Sequence, residues 1–270
     1  MYSLAVIVPN YNNEKYIAQC LNSILKQSLL PNEIIIVDDC STDLSCEIIN
    51  AYANKHPIIK PIFLKENGGV SNARNIGLHS TKCNYVTFID ADDFYFDNDK
   101  LYYEMELIKK SNKNVLVYSI TRNVDENGEL INSNFNLNYK RNQFILGNAK
   151  IWLVSMLKQA RVPRDYCINR EILINVGAYT FYKNFYEDLD LLMKLAFNKT
   201  KFFCTFKSGT AYRIKRSGLS HRDADEHKST IDEITSKYFA KLNYFERLLY
   251  FIIVNYFKLK RHIRKFVKGY

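Results

Sequence analysis

Residues 4–39 read LAVIVPNYNNEKYIAQCLNSILKQSLLPNEIIIVDD. Two short apolar runs, Leu4–Val8 and Glu33–Val37, are each stopped by polar residues, Pro9-Asn10 and Asp38-Asp39. Continuous apolar runs of this length are expected of strands buried on both faces, as in a parallel sheet. Between them Tyr16, Ile17, Cys20, Leu21, Ile24 and Leu25 recur at helical spacing over Glu14–Gln27, and Pro31 breaks the chain before the second run. A strand, a helix and a second strand in this order form one crossover unit of a parallel sheet.

The alternation continues outward. Ser41 or Thr42 is placed to cap a helix reaching about Asn54, with Ile48, Ile49 and Tyr52 inward. A third strand over Pro61–Leu64 runs into Asn67-Gly68-Gly69, and a helix follows from about Ser71 to His79. The strand Tyr85–Ile89 then ends on Asp90, Asp92 and Asp93. This order predicts an α/β fold, with a mostly parallel central sheet flanked by helices. Ligands bind at the carboxyl edge of such sheets. Three strand ends, at residues 9–12, 38–39 and 90–93, are therefore expected to share one crevice. Carboxylates in that position suit a hard divalent cation, and alternation along extended chain points Asp90 and Asp92 to the same side. A polar turn is the plain alternative, because Asp favours turns.

The second half is less regular. It offers a helix over about Asp97–Lys110, a strand over Val115–Ile120, a loop at Asn127-Gly128 and a helical segment around Phe144–Gln159. Arg161–Tyr166 leads into Asn169–Val176, and a helix begins near Glu187. On that helix Glu187, Asp190, Lys194 and Asn198 take the spacing of a solvated face. Asp188 aligns instead with Leu191, Leu192 and Leu195, so it is expected to face a cleft. A favourable charge at the helix N-terminus explains it equally well. Arg74 lies one turn into the helix after Gly68-Gly69, where a guanidinium suits ribose or phosphate oxygens. A surface Arg bonded to a neighbouring loop is the bland reading.

A chain of 270 residues can hold one large domain, with or without an appendage. The net charge of +10 would suit a nucleic-acid binder. Yet residues 241–270 hold eight Lys/Arg and one acid, so the charge belongs to the tail and no nucleic-acid partner is expected. Six scattered cysteines without a C-x-x-C pair argue against zinc and redox roles and for a reducing, cytoplasmic setting. No basic segment precedes Leu4–Val8, which is too short for a signal peptide. Leu248–Val254 is apolar but well short of the roughly 20 residues that span a bilayer. Beyond it Arg261, Arg264, Lys265 and Lys268 share one helical face, and Leu259, Ile263 and Phe266 another. Residues 248–270 are thus expected to lie peripherally on an anionic membrane, a helix packed on the main domain being the alternative.

In order, VIVPNYNNEKYIAQCLNSILKQ, IIIVDDCSTD, NGGVSNARNIGL, YVTFIDADD, FYEDLDLLMKL and YRIKRSGLS resemble glycosyltransferase family 2, inverting nucleotide-sugar enzymes of the Rossmann-like GT-A fold. The likeness runs from about Leu4 to Ser220. It implies a catalytic domain over 1–240, with a nucleotide-binding half over about 1–120 and an acceptor half over about 121–240; the basic tail read from the charge distribution takes up 241–270. It also implies that Pro9 and Tyr11 form the first nucleotide loop, that Asp39 and Asp38 meet the uracil ring, and that Arg74 lies beside the nucleotide. Asp90 would sit near the ribose, and Asp92, with Asp90, on a Mg²⁺ or Mn²⁺ ion; Asp188 would be the catalytic base. Cys40 stands where many members carry Gly, and Lys215 where some carry His. Asn132–Asn148 and Arg161–Asn169 are expected to shape the acceptor side. The implied activity is transfer of a hexose or N-acetylhexosamine from a UDP-sugar to a growing, lipid-linked surface glycan such as capsule or lipopolysaccharide, at the inner face of the cell membrane. A polyprenyl-phosphate sugar synthase and a non-catalytic, nucleotide-binding membrane scaffold are the alternatives.

Overall fold

The computed structural model describes residues 2–111, 114–131, 147–148, 165–180, 186–215 and 224–267. Most of the helical segment expected around Phe144–Gln159, most of Asn132–Asn148, the start of Arg161–Asn169 and the end of YRIKRSGLS lie outside those residues.

Nine strands form one sheet among the described residues. They are β1 (Leu4–Asn10), β2 (Glu33–Asp38), β3 (Ile59–Phe63), β4 (Tyr85–Phe88), β5 (Phe94–Tyr95), β6 (Val115–Val124), β7 (Gly147–Asn148), β8 (Tyr166–Asn169) and β9 (Lys201–Arg213). Their order is β3-β2-β1-β4-β8-β6-β9-β5, with β7 also on β9. The first four run parallel, as the alternation requires. β8 enters antiparallel between β4 and β6, and β5 and β7 run antiparallel to β9. β6 and β9 run parallel to each other and so keep the direction of β4. The sheet is mixed, with six strands pointing one way.

Helices cover both faces: α1 (Ile17–Leu25), α2 (Ser45–Lys55), α3 (Val70–Ser80), α4 (Lys100–Lys109), α5 (Arg170–Asn175), α6 (Glu187–Phe197), α7 (Ala224–Phe239) and α8 (Tyr244–Val267). Side chains alternate across a strand, so each strand feeds two cores. Leu4, Val6, Val8, Ile34 and Ile36 pack with Ile17, Leu21, Ile49 and Met105. Ala5, Ile7, Ile35 and Val37 pack on the other side with Ala73, Leu78, Leu191, Ile234 and Tyr238. Each such aliphatic burial contributes about 1.5–3 kcal/mol. Helix α3 lies close on β1 because residue 77 is glycine: a Cβ there would stand 2.5 Å from Ile7 Cγ2.

Two expectations need correction. Helix α2 starts at Ser45, its N-cap residue is Leu44 with no side-chain cap, and Ser41 and Thr42 serve the loop before it. Asp190 does not face solvent: it is fully buried, because α7 covers that side of α6. Lys237 Nζ and the Tyr238 hydroxyl donate to its Oδ1 at 2.8 and 2.7 Å, and the Thr180 hydroxyl donates to Oδ2 at 2.9 Å. Burial alone would raise the Asp190 carboxyl, but these donors hold it below the usual range.

Helix α8 turns Tyr250 and Ile253 into the core. Phe245, Leu248, Ile252, Tyr256 and Leu259 stand exposed at helical spacing. No helix among the described residues is long and apolar enough to cross a membrane.

Candidate active site

The carboxyl ends of β2, β1 and β4 lie side by side, and hydrogen bonds stitch their loops together. Asp38 is buried and serves the scaffold. Its Oδ2 accepts from Asn10 Nδ2 at 2.6 Å and Ser41 Oγ at 2.7 Å, and its Oδ1 accepts from the Ser41 amide at 2.9 Å. Cys40 takes φ +65°, the left-handed conformation that glycine adopts most easily, so a side chain is accommodated there at some cost in strain. Asp39 is buried as well, and both its oxygens accept from the glycine turn, from the Gly68 and Gly69 amides at 2.8 Å each. Gly69 has φ +83°, which this turn into α3 requires. Pro9 is paired within the sheet beside Val37, whereas Tyr11, just past the end of β1, is 47% exposed.

After β4, Asp90, Asp92 and Asp93 bring one carboxylate oxygen each within 4.8 Å of one another. Three clustered carboxylates are a donor set fit for Mg²⁺ or Mn²⁺. Each acid has a defined partner. Asp90 Oδ1 accepts from Arg74 Nη2 at 2.6 Å, Asp93 Oδ1 from the Arg213 amide at 2.8 Å, and Asp92 Oδ2 pairs with Lys215 Nζ at 2.8 Å.

Arg74 joins this cluster to the far half of the chain. Its other terminal nitrogen, Nη1, donates to Glu187 Oε1 at 2.6 Å, at the first turn of α6. The guanidinium also lies 5.3 Å from the centre of the Tyr179 ring. Arg74 is 9% exposed, and Asp90 and Glu187 keep it firmly protonated despite burial. Burial pushes the Glu187 carboxyl above its ordinary range, against the pull of Arg74. Asp188 follows directly, half-buried, with Oδ1 accepting from the Leu189 amide at 2.8 Å. Asp90 and Glu187, at the acidic start of α6, thus flank one guanidinium.

Arg213, at the end of β9, went unread in the sequence. Its Nε donates to the Asp92 carbonyl at 2.8 Å, Nη2 to Gln19 at 2.6 Å and Nη1 to the Glu126 carbonyl at 2.6 Å. Its guanidinium carbon lies 4.4 Å from the Tyr16 ring centre, so it pins the acid loop to α1. Glu187, expected from its spacing on the solvated face, turns instead to Arg74 with its side chain 15% exposed, and Asn13 and Tyr16 were missed. Only the two-residue spacing of Arg213 and Lys215, on one side of an extended chain, could have pointed to a paired role.

The Rossmann-like mixed sheet carries an acid cluster at its parallel strand ends, joined through Arg74 to an acidic helix start, and this is the layout of the GT-A fold. The sequence model described as glycosyl transferase family 2 matches residues 5–183, and the chain belongs to that family. An uncharacterized glycosyltransferase of Haemophilus influenzae is 46% identical over 98 residues, 36% of this chain and 39% of that protein. The poly(ribitol-phosphate) beta-N-acetylglucosaminyltransferase TarS of Staphylococcus aureus is 40% identical over 96 residues, 35% of this chain and 17% of its own. The matched stretch therefore spans well under half the length of these relatives. The crystal structure of S. aureus TarS 1-349 in complex with UDP-GlcNAc shares the fold, with a TM-score of 0.73 and 24% identity over 97% of this chain and 73% of that one. A mannosyltransferase from Pyrobaculum calidifontis in complex with GDP-Man and Mn²⁺ shares it with a TM-score of 0.64 and 17% identity, over 92% of this chain and 79% of that one.

Proposed function

We propose that this chain is a metal-dependent, inverting transferase that moves a hexose or N-acetylhexosamine from a UDP-sugar to a hydroxyl of a growing, lipid-linked surface glycan. The observation that carries the reading is the Arg74 bridge, which ties Asp90 to the residue preceding Asp188. The UDP-GlcNAc bound by TarS and the Mn²⁺ bound by the mannosyltransferase support donor and ion.

Asp90, Asp92 and Asp93 would hold the Mg²⁺ or Mn²⁺. Bound there, the ion would neutralise charge developing on the departing diphosphate. Pro9, Tyr11, Asp38, Asp39 and Arg74 form the nucleotide side, with Asp38 and Asp39 fixing the loop geometry and Arg74 acting as a clamp on Asp90 and Glu187 rather than as a ligand of the nucleotide. Asp188 takes the proton of the acceptor hydroxyl while that oxygen attacks the anomeric carbon from the face opposite UDP. One bond forms as the sugar–phosphate bond breaks, its electron pair leaves with UDP, and the anomeric centre inverts. Residues 1–240 make the catalytic domain. Residues 241–270 make an appendage whose α8 rests peripherally on the anionic inner face of the cell membrane through its exposed apolar stripe and the basic segment beyond.

Asp188→Asn tests the assignment. Transfer should fall 10²–10⁴-fold, the usual worth of a general base, while thermal stabilisation by UDP with Mn²⁺ persists. Full activity in that variant would point to an acceptor already ionised, a lipid phosphate. No stabilisation of the folded protein by UDP and Mn²⁺ would refute the donor assignment.

A further inference from the structure

Lys215 is paired with one of the three acids that would hold a divalent ion. Its Nζ lies 2.8 Å from Asp92 Oδ2, 3.1 Å from Asn13 Oδ1 and 4.6 Å from the centre of the Tyr16 ring. We infer that Lys215 is a resident counter-cation that surrenders Asp92 to the divalent ion and passes to the donor diphosphate, so that metal and nucleotide bind cooperatively. This rests on the reading of the crevice as a metal and UDP-sugar site.

Mg²⁺ or Mn²⁺ needs carboxylate oxygens at about 2.0–2.2 Å. An ammonium hydrogen-bonded to Asp92 Oδ2 competes for that oxygen and adds like charge beside an incoming ion. Of Arg74, Arg213 and Lys215, Lys215 is the one built to move. Arg74 is held in the core between two carboxylates, and Arg213 reaches Asp93 through its backbone amide and is buried. The Lys215 side chain is 21% exposed and its ammonium ends a flexible four-carbon stem. Its neighbours Asn13 and Tyr16 belong to the loop after β1, on the nucleotide side of the crevice. An ammonium displaced from Asp92 stays tethered there, next to the charge a diphosphate would bring. The ion alone has to expel Lys215 with no anion to receive it; with a nucleoside diphosphate present, the amine exchanges one anionic partner for another. By linkage, whatever the nucleotide adds to metal affinity the metal adds to nucleotide affinity.

The test is a Mn²⁺ titration read by paramagnetic resonance of the free ion, with and without saturating UDP, on the full chain and on Lys215→Met. A doubly charged ion and an ammonium about 5 Å apart in a water-like dielectric repel enough to change affinity roughly tenfold. Without UDP, Lys215→Met should bind Mn²⁺ about tenfold tighter than the unaltered chain, and its gain in Mn²⁺ affinity on adding UDP should shrink by a similar factor. Lys215→Arg, which keeps the charge, should bind free Mn²⁺ no tighter than the unaltered chain. Should Lys215→Met not fold, Lys215→Gln is read against the same thresholds. Mn²⁺ affinity within twofold of the unaltered chain, in a variant that still binds Mn²⁺ and UDP together, overturns the inference alone. Failure of the unaltered chain to bind Mn²⁺ even with UDP overturns both this and the proposed function.

Discussion

Replacing Arg74 with lysine separates two roles for this side chain: clamp between the halves of the site, or direct ligand of the nucleotide. Arg74 spends one terminal nitrogen on Asp90 and the other on Glu187, both at 2.6 Å, with Asp90 31% and Glu187 15% exposed at the side chain. Lysine keeps the charge, but a single ammonium cannot reproduce the fork that spans both carboxylates. One charge-assisted hydrogen bond is therefore lost, worth about 1.5–3 kcal/mol. Asp90 is open enough to recover part of that from water, so about 2 kcal/mol is expected for Arg74→Lys. Arg74→Ala strands both acids and should cost about 3–5 kcal/mol, as when one member of a buried pair is deleted. Urea denaturation measures these losses, and turnover with UDP affinity in the same variants separates the roles. A clamp predicts reduced turnover with UDP affinity nearly unchanged, because Asp188 shifts with the start of α6. Loss of less than about 0.5 kcal/mol in Arg74→Lys, or a fall in UDP affinity with stability intact, would refute the clamp.

Lys100, Glu104 and Asp165 form a buried group behind the sheet, with Lys100 Nζ 2.9 Å from Glu104 Oε2. Burial pushes Glu104 up to about 7 from an ordinary 4.5, against the pull of Lys100, and raises Asp165 as well. The native state thus keeps a proton that the unfolded chain has released. Stability from it is full below pH 4.5 and is lost as pH rises to 7, by about 1.4 kcal/mol per unit and on the order of 3 kcal/mol in all. Chemical denaturation at pH 5 and pH 7.5 should show that fall, and Glu104→Gln should flatten it; an unchanged slope would refute the assignment. On α8, Leu248 and Ile252 are 48% and 57% exposed, so Leu248→Glu and Ile252→Glu should change stability by no more than about 0.5 kcal/mol. Partition onto phosphatidylglycerol vesicles should fall more than tenfold in the double variant, and unchanged partition would count against membrane docking.

The first ninety residues were readable because their signals are local: apolar runs, helix-spaced side chains and polar stops all lie within a few positions of one another. The strand ends could be grouped for the same reason, since parallel strands share an edge. What escaped depends on distant chain. Arg74 and Glu187 lie 113 residues apart, and nothing in either neighbourhood names the other. Asp190 has the spacing of a solvated residue and is covered only because Lys237 and Tyr238 arrive from α7. β9 mixes polar and apolar residues along thirteen positions and pairs with β6 through register shifts, which blurs the two-residue period.

The position of β8 has a consequence for how the chain reaches its native state. β4, a fully buried strand, is bordered on one side by β1 and on the other by β8, which begins at Tyr166. As the polypeptide emerges from the ribosome, the first four strands can assemble while that second border is still unmade, roughly eighty residues short of completion. An unpaired apolar edge is the kind of surface on which nascent chains stick to each other. Closure at Tyr166–Asn169 is one of the long-range pairings of the sheet, a class that forms slowly, and substitutions that weaken it should lower soluble yield before they lower melting temperature.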